Sequence, residues 1–359
     1  MTGRSDTLDG KVIAVTGGSG LVGSHVVAEL LGRGHRVRLL MRDTTRTELL
    51  RATLRRMGVA DRYDRLDMRQ TALNNPHELR RAVEGVQVMF HCAAQVSFDP
   101  GRADELVSVN TEITTHVANS CLACGVELLV HVSSIAALGD PPAEGAMIDE
   151  ECVVSSLVGK SAYSVSKIYS ENAVRRAMLE GLRAVIVNPS IVIGEGDWCR
   201  GSSMLVSFGA RRGLFYTPGV KGYVDVRDVA RAMVCLAETP GAAGQRYVVS
   251  SENISFRDFF STVARAAGRR SPRIGLGAPA LRLASRIDRG ISRLTGREHL
   301  LPDSVVENAL HVSRYSSEKL LRATGFRFTP VREAIERVTR EYLKEKCHGT
   351  NSRHYRRRR

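Results

Sequence analysis

KVIAVTGGSGLVGSHVVAELLG, Lys11 to Gly32, decides how this chain folds. Its first six residues, Lys11 to Thr16, form a short, largely apolar run rich in β-branched residues, and predict a buried parallel strand. Thr16 to Gly23 (TGGSGLVG) then spaces Gly17, Gly20 and Gly23 by three. Leu21 to Leu31 is amphipathic at helical period, and Gly32 and Gly34 supply its stop signal. Strand, glycine turn and helix in this order form a dinucleotide-binding fingerprint. Residues without a Cβ let the backbone turn sharply and approach a pyrophosphate closely. The helix start offers free N–H groups and the positive end of a dipole to that anion. Thr16, Gly17, Gly20, Leu21, Val22 and Gly23 are therefore expected to contact the cofactor.

The pattern continues outward. Further strands are expected at His35–Met41, Gln87–Ala93, Leu128–Ser133, Ala184–Asn188 and Tyr247–Ser250. Helices are expected between them at Glu78–Glu84, Asn110–Cys124, Ala162–Leu179 and Val226–Glu238. Alternation at this pitch predicts an α/β fold with a doubly wound parallel sheet, whose ligands sit beyond the carboxyl ends of the strands. After Ser190 the pattern loosens. The expected division is a cofactor domain at 8–193 and 223–250, and a smaller, mainly helical substrate lobe at 194–222 and 251–345. A basic, disordered tail is expected at 346–359. Met204, Leu205, Phe208, Leu214, Phe215 and Tyr216 read either as a largely apolar substrate pocket or as the core of that lobe.

The chain has 359 residues, 43% of them hydrophobic and 25% charged, which suits a globular protein. The polar stretch Met1–Gly10 lacks an apolar signal core, and no apolar run is long enough to span a bilayer, so a cytoplasmic location is the expectation. Seven cysteines, an odd number, read as free thiols. The lone Cys121-x-x-Cys124 reads as two small residues on a buried helix face, and no metal site is expected. The net charge of +14 raises the question of an anionic partner. Most of the excess is arginine spread among acids, and the one dense block is Arg353–Arg359, so no specific nucleic-acid partner is expected. Ala278–Leu294 sets arginines between apolar residues at helical spacing. It reads first as a lobe helix packed on one face and second as a helix in weak contact with a membrane surface.

Two further clusters carry chemistry. At the end of the second strand an acid would bind a ribose 2′-hydroxyl, whereas arginine accommodates a 2′-phosphate. Arg42 occupies that place, which favours NADP(H), and Asp43 beside it keeps NAD(H) as the alternative. Asp67, with Met68, is expected after the third strand at the adenine edge, or else as a turn residue. Tyr163 and Lys167 are four apart on one helix face, and Ser133-Ser134 end the strand before it. Hydride transfer to a carbonyl creates an alkoxide that needs a proton. A tyrosine whose pKa is lowered by a neighbouring ammonium can supply it while a serine hydroxyl holds the oxygen.

These motifs, with HCAA at His91–Ala94, VNT at Val109–Thr111, SSI at Ser133–Ile135, YSVSK at Tyr163–Lys167 and NPSIVIG at Asn188–Gly194, resemble the extended short-chain dehydrogenase/reductase superfamily, whose fold is the Rossmann fold. The likeness runs from about Leu8 to Leu343. It implies Ser134, Tyr163 and Lys167 as catalytic residues. It also implies Cys92, Ala93 and Ala94 along the cofactor, Asn188, Pro189 and Ser190 near the nicotinamide, and Asn110 as a structural support. VRLLMRD at Val37–Asp43 is similar to the dihydroflavonol-4-reductase-like branch, with 3β-hydroxysteroid dehydrogenases among its relatives, whose members mostly use NADPH. Ala137-Leu138-Gly139 lacks the tyrosine usual in sugar-nucleotide epimerases. A carbonyl reductase or secondary-alcohol dehydrogenase acting on a small, apolar molecule is the expectation. An epimerase that retains its cofactor and a non-enzymatic NADP sensor are the alternatives. The resemblance also implies a homodimer.

Overall fold

The structure is a computed structural model that describes residues 7–96, 100–199, 201–212, 215–295 and 303–347. The tail expected at 346–359 falls outside them from residue 348 on, as does Leu214. The strands are β1 (Ile13–Thr16), β2 (Val37–Met41), β3 (Leu66–Gln70), β4 (Val88–His91), β5 (Leu128–Val132), β6 (Ala184–Pro189), β7 (Ile191–Ile193), β8 (Phe215–Tyr216), β9 (Val220–Asp225), β10 (Arg246–Val249), β11 (Glu252–Ser255) and β12 (Ile274–Gly275). The helices are α1 (Leu21–Gly32), α2 (Glu48–Arg56), α3 (Pro76–Val83), α4 (Ala103–Ala123), α5 (Ala162–Leu179), α6 (Ser203–Arg212), α7 (Val226–Glu238), α8 (Phe256–Ala266), α9 (Ala278–Thr295), α10 (Asp303–Leu310), α11 (Glu318–Thr324) and α12 (Val331–Cys347).

The chain forms two compact units. The first comprises Met1–Ser190, Val226–Ser250 and Tyr315–Arg327. Its seven-stranded sheet runs β10-β6-β5-β4-β1-β2-β3, and every pair is parallel. Strand order reverses between β1 and β4, which opens a crevice at the carboxyl ends of these two strands. All four residues of β1 are buried, as expected for a strand covered on both faces. One face is packed by α3, α4 and α5 through Leu79, Val83, Val117, Ala118, Cys121, Val174 and Ala177. Local signals start the helices. Asn75 caps α3 by accepting from the N–H groups of His77 and Glu78, with Pro76 at the first helical position. Ser161 caps α5, its hydroxyl accepting from Ser164 N at 3.1 Å, so Tyr163 stands in the first turn.

The second unit comprises Ile191–Asp225, Ser251–Arg314 and Phe328–Arg359. It holds a small sheet in the order β11-β9-β7 and the parallel pair β12-β8. Its core joins Val206, Tyr223, Phe259, Val263, Val331, Ile335 and Val338. Arg337 of α12 ties this core to two buried acids, Asp225 at 2.6 Å and Glu195. The expected boundaries move at three places. Tyr223–Asp225 belongs to β9 of the small sheet, so the return to the large sheet starts at Val226. Ile191–Ile193 pairs with β9 and leaves the large sheet after Ser190. Tyr315–Arg327, expected in the lobe, packs α11 against β10 in the first unit. No described helix is long and apolar enough to cross a membrane.

Candidate active site

The glycine turn lies between β1 and α1 in the first unit. Gly17 has φ of +72°, in the region that favours glycine. A Cβ there would stand 2.6 Å from Ala93 N and 2.7 Å from the carbonyl carbon of Cys92. One at Gly23 would overlap the Gly17 carbonyl. The turn therefore runs against the Cys92–Ala93 backbone that leaves β4. Thr16 joins the two, its hydroxyl accepting from Ala93 N at 3.3 Å and lying 2.7 Å from His91 Nδ1. Among the described residues no side chain caps α1, and its first turn has no acid, so its positive end faces the turn. Leu21, Val22 and Gly23 open that helix. These residues fit a dinucleotide pyrophosphate.

The His91 ring is buried, flanked by Thr16 and Thr114 and stacked on His131 with centroids 5.2 Å apart. Burial, with the Lys167 charge, lowers its pKa to about 3, so the imidazole is neutral at neutral pH. Ala94 is exposed and Cys92 and Ala93 are half-buried beside the turn. Asn110 holds the next residue in place. Its amide donates to Gln95 O at 2.9 Å and accepts from Gln95 N at 2.7 Å.

At the end of β2, Arg42 and Asp43 part company. Asp43 is engaged by its own turn, accepting from Thr45 N at 3.0 Å and Thr45 Oγ1 at 2.6 Å, with Arg46 Nε at 3.1 Å. The Thr45 hydrogen bonds and Arg46 hold its carboxyl below the usual range. Arg42 is exposed, and among the described residues its guanidinium has no hydrogen bond or ion pair. Asp67 is not where the sequence suggested. It is the second residue of β3, in register with Arg38, whose Nε lies 3.2 Å from it, and Arg69 Nε lies at 2.7 Å. It lines a cavity of about 540 Å³ with Asp9, Lys11, Arg33 and Arg65, at the amino ends of β1, β2 and β3. Met68 follows mid-strand and accepts from the Tyr63 hydroxyl at 3.6 Å. The carboxyl end of β3 is Gln70-Thr71, opposite Met41, so Thr71 to Leu73 lie at the edge where the adenine contact was expected.

Ser134, Tyr163, Lys167 and Asn188 converge at the carboxyl ends of β5 and β6. Ser134 ends the turn after β5, and its side chain is hydrogen-bonded to the Tyr163 phenol. Its hydroxyl also accepts from Ala136 N at 3.1 Å. The Lys167 ammonium lies 6.0 Å from the Tyr163 ring centre and donates to Val132 O at 3.2 Å. The sequence reading had this ammonium lowering the tyrosine pKa. Instead burial raises it, with the Ser134 hydrogen bond opposing, so the phenol is protonated at neutral pH. Burial acts on the lysine too and lowers its pKa to about 8. Asn188 Nδ2 donates to Ser134 O at 2.9 Å. Ser133 Oγ, Asn188 Oδ1 and Ser190 Oγ are buried without a hydrogen-bond partner among the described residues, and Pro189 lies between the last two. Such orphaned groups fit a polar ring that brings its own donors and acceptors, as a nicotinamide does.

Residues 13–250 match the NAD dependent epimerase/dehydratase family. The chain belongs to that family. Among its relatives is sterol demethylase protein B of Methylococcus capsulatus, 31% identical over 73% of this chain and 76% of that protein. A putative dihydroflavonol 4-reductase of Synechocystis is 27% identical over 89% of this chain and 91% of that one. The solved structure of gox2253 aligns at 29% identity and a TM-score of 0.75, covering 94% of this chain and 99% of that one. The chain is thus an extended short-chain dehydrogenase/reductase with reductases among its relatives.

In this family member one participant escaped the sequence reading. Glu171 follows Tyr163 and Lys167 at the same four-residue step on α5, and is buried. It accepts from Asn188 Nδ2 at 2.5 Å, and Arg175 and Arg246 each lie 3.7 Å from it. Its charge opposes the desolvation of Lys167. Glu171→Gln keeps an acceptor for Asn188 and removes the charge. Lys167 is then expected to lose its proton below about pH 8. The alkaline limb of the kcat/KM profile should move to lower pH, and an unmoved limb would contradict this role.

Proposed function

We propose that the chain is an NADP(H)-dependent carbonyl reductase or secondary-alcohol dehydrogenase. The carrying observation is the half-buried, protonated Tyr163, hydrogen-bonded to Ser134 with Lys167 one helical turn behind it. NADPH, when bound, supplies a hydride to the carbonyl carbon. The Tyr163 phenol then gives its proton to the carbonyl oxygen, where charge develops. The Ser134 hydroxyl donates to that oxygen and stabilises the same charge. Lys167 stabilises the phenolate left on Tyr163, and in the oxidative direction the phenolate takes the alcohol proton. Thr16, Gly17, Gly20, Leu21, Val22 and Gly23 would hold the pyrophosphate, and Asn188, Pro189 and Ser190 the nicotinamide. Arg42 would take the 2′-phosphate, a reading supported by the engagement of Asp43 in its own turn.

An apolar substrate suits the second unit. Met204, Phe208 and Phe215 are exposed rather than packed in its core. The name of one relative, sterol demethylase protein B, supports an apolar substrate. The test is to incubate the protein with NADPH and a panel of apolar ketones, steroid and isoprenoid ketones included. NADPH loss should be matched one for one by alcohol product. Turnover of substrate to its epimer without NADPH loss would sink the proposal.

A further inference from the structure

Helix α9 turns its apolar side outward. Leu283, Ile287, Ile291 and Leu294 are 58%, 56%, 40% and 88% exposed. Their spacing of four, four and three puts them in one stripe along the helix. The opposite side is the packed one, with Leu281, Ser285 and Asp288 buried. The helix is thus packed on one face, and the apolar stripe lies on the other. Arg282 and Arg286 are exposed and one helical turn apart, which sets them along one flank of the stripe. Asp288 is the sole acid between Ala278 and Thr295, so the outward face carries no negative charge. The strand pair that precedes α9 adds to the apolar character of this unit, since Ile274 and its partner Phe215 are both exposed.

An apolar stripe bordered by guanidinium groups, with no acid on the same face, matches the boundary between lipid headgroups and acyl chains. A soluble protein partner of similar shape would need its own row of acids. A bilayer with anionic lipid supplies both chemistries in one surface. We propose that α9 docks the chain on anionic membranes. Leu283, Ile287, Ile291 and Leu294 enter the interface, and Arg282 and Arg286 meet the lipid phosphates. The chain then rests on the bilayer without crossing it, in line with the absence of any described helix able to span one.

The full-length protein would be floated with vesicles of phosphatidylcholine alone and with vesicles containing phosphatidylglycerol. Capture is expected on the second kind and should fall as salt rises. Leu283→Asp with Ile287→Asp should lower capture by more than about tenfold, and Arg282→Gln with Arg286→Gln by less than that pair. NADPH binding by each variant checks that the chain is folded. Undiminished capture of the Leu283/Ile287 variant would overturn the proposal and assign any binding to the basic tail. So would a homodimer that the same variant dissociates in sedimentation velocity, because the stripe would then be covered by a second copy. Equal capture on both vesicle types would overturn the anionic part.

Discussion

Tyr163→Phe is expected to lower kcat by about 10²- to 10⁴-fold, the usual worth of a positioned acid/base, and to change NADPH affinity far less. Phenylalanine keeps the ring that fills the start of α5 and loses only the hydroxyl bonded to Ser134. The loss converts to about 3–5 kcal/mol of transition-state stabilisation at 1.36 kcal/mol per decade. Because burial holds the phenol protonated, the wild-type enzyme presents a proton donor at neutral pH. The reductive rate should therefore stay level through neutrality. It should fall as Lys167 loses its proton, beginning near pH 8. The phenylalanine variant should lack this fall. Stopped-flow traces of NADPH absorbance across pH would check both points. A variant with wild-type kcat would remove Tyr163 from the chemistry.

Arg42→Ala is expected to weaken NADPH about 10- to 100-fold and leave NADH nearly unchanged. A charged hydrogen bond to phosphate is worth about 1.5–3 kcal/mol, and each 1.4 kcal/mol is tenfold in Kd. Two neighbouring side chains are in opposite situations here. Asp43 is occupied by Thr45 and Arg46. Arg42 is exposed with no partner among the described residues. Titration by NADPH fluorescence, wild type against variant, measures the ratio. Equal loss for both nucleotides would mean that Arg42 supports the loop and not the 2′-phosphate. If wild type bound NADH as well as NADPH, Asp43 would have to leave its turn to meet the ribose.

The large sheet was legible because its central strands are buried on both faces and so appear as unbroken apolar runs. Ile13–Thr16, Leu128–Val132 and Ala184–Pro189 all carry that signature. The third strand does not. Leu66–Gln70 is polar and half-exposed at the sheet edge, so its ends leave no mark, and Asp67 was assigned to the wrong end of the sheet. In the second unit the three strands of the small sheet are three to six residues long and come from distant segments. Periodicity states that Val220–Asp225 is extended but not which partner it finds.

The site was legible in the spacing of Tyr163 and Lys167, since two residues four apart on a helix must share a face. Glu171 continues that spacing and could have been read the same way. What the spacing could not reveal is that Asn188 and Arg246, from two other strands, close on it. The pKa of Tyr163 was misjudged for a related reason. A charge four residues away is visible in a sequence, whereas desolvation depends on everything packed around the group.

The most direct test of the central claim follows the hydride itself. NADPH deuterated at C4 of the nicotinamide would be supplied with a ketone that the protein consumes, and the product examined by mass spectrometry and NMR. One deuterium is expected on the carbinol carbon of the alcohol, from one face of the nicotinamide only, with one NADP⁺ released per product. Product without deuterium on that carbon, or an epimerised substrate beside undiminished NADPH, would contradict it.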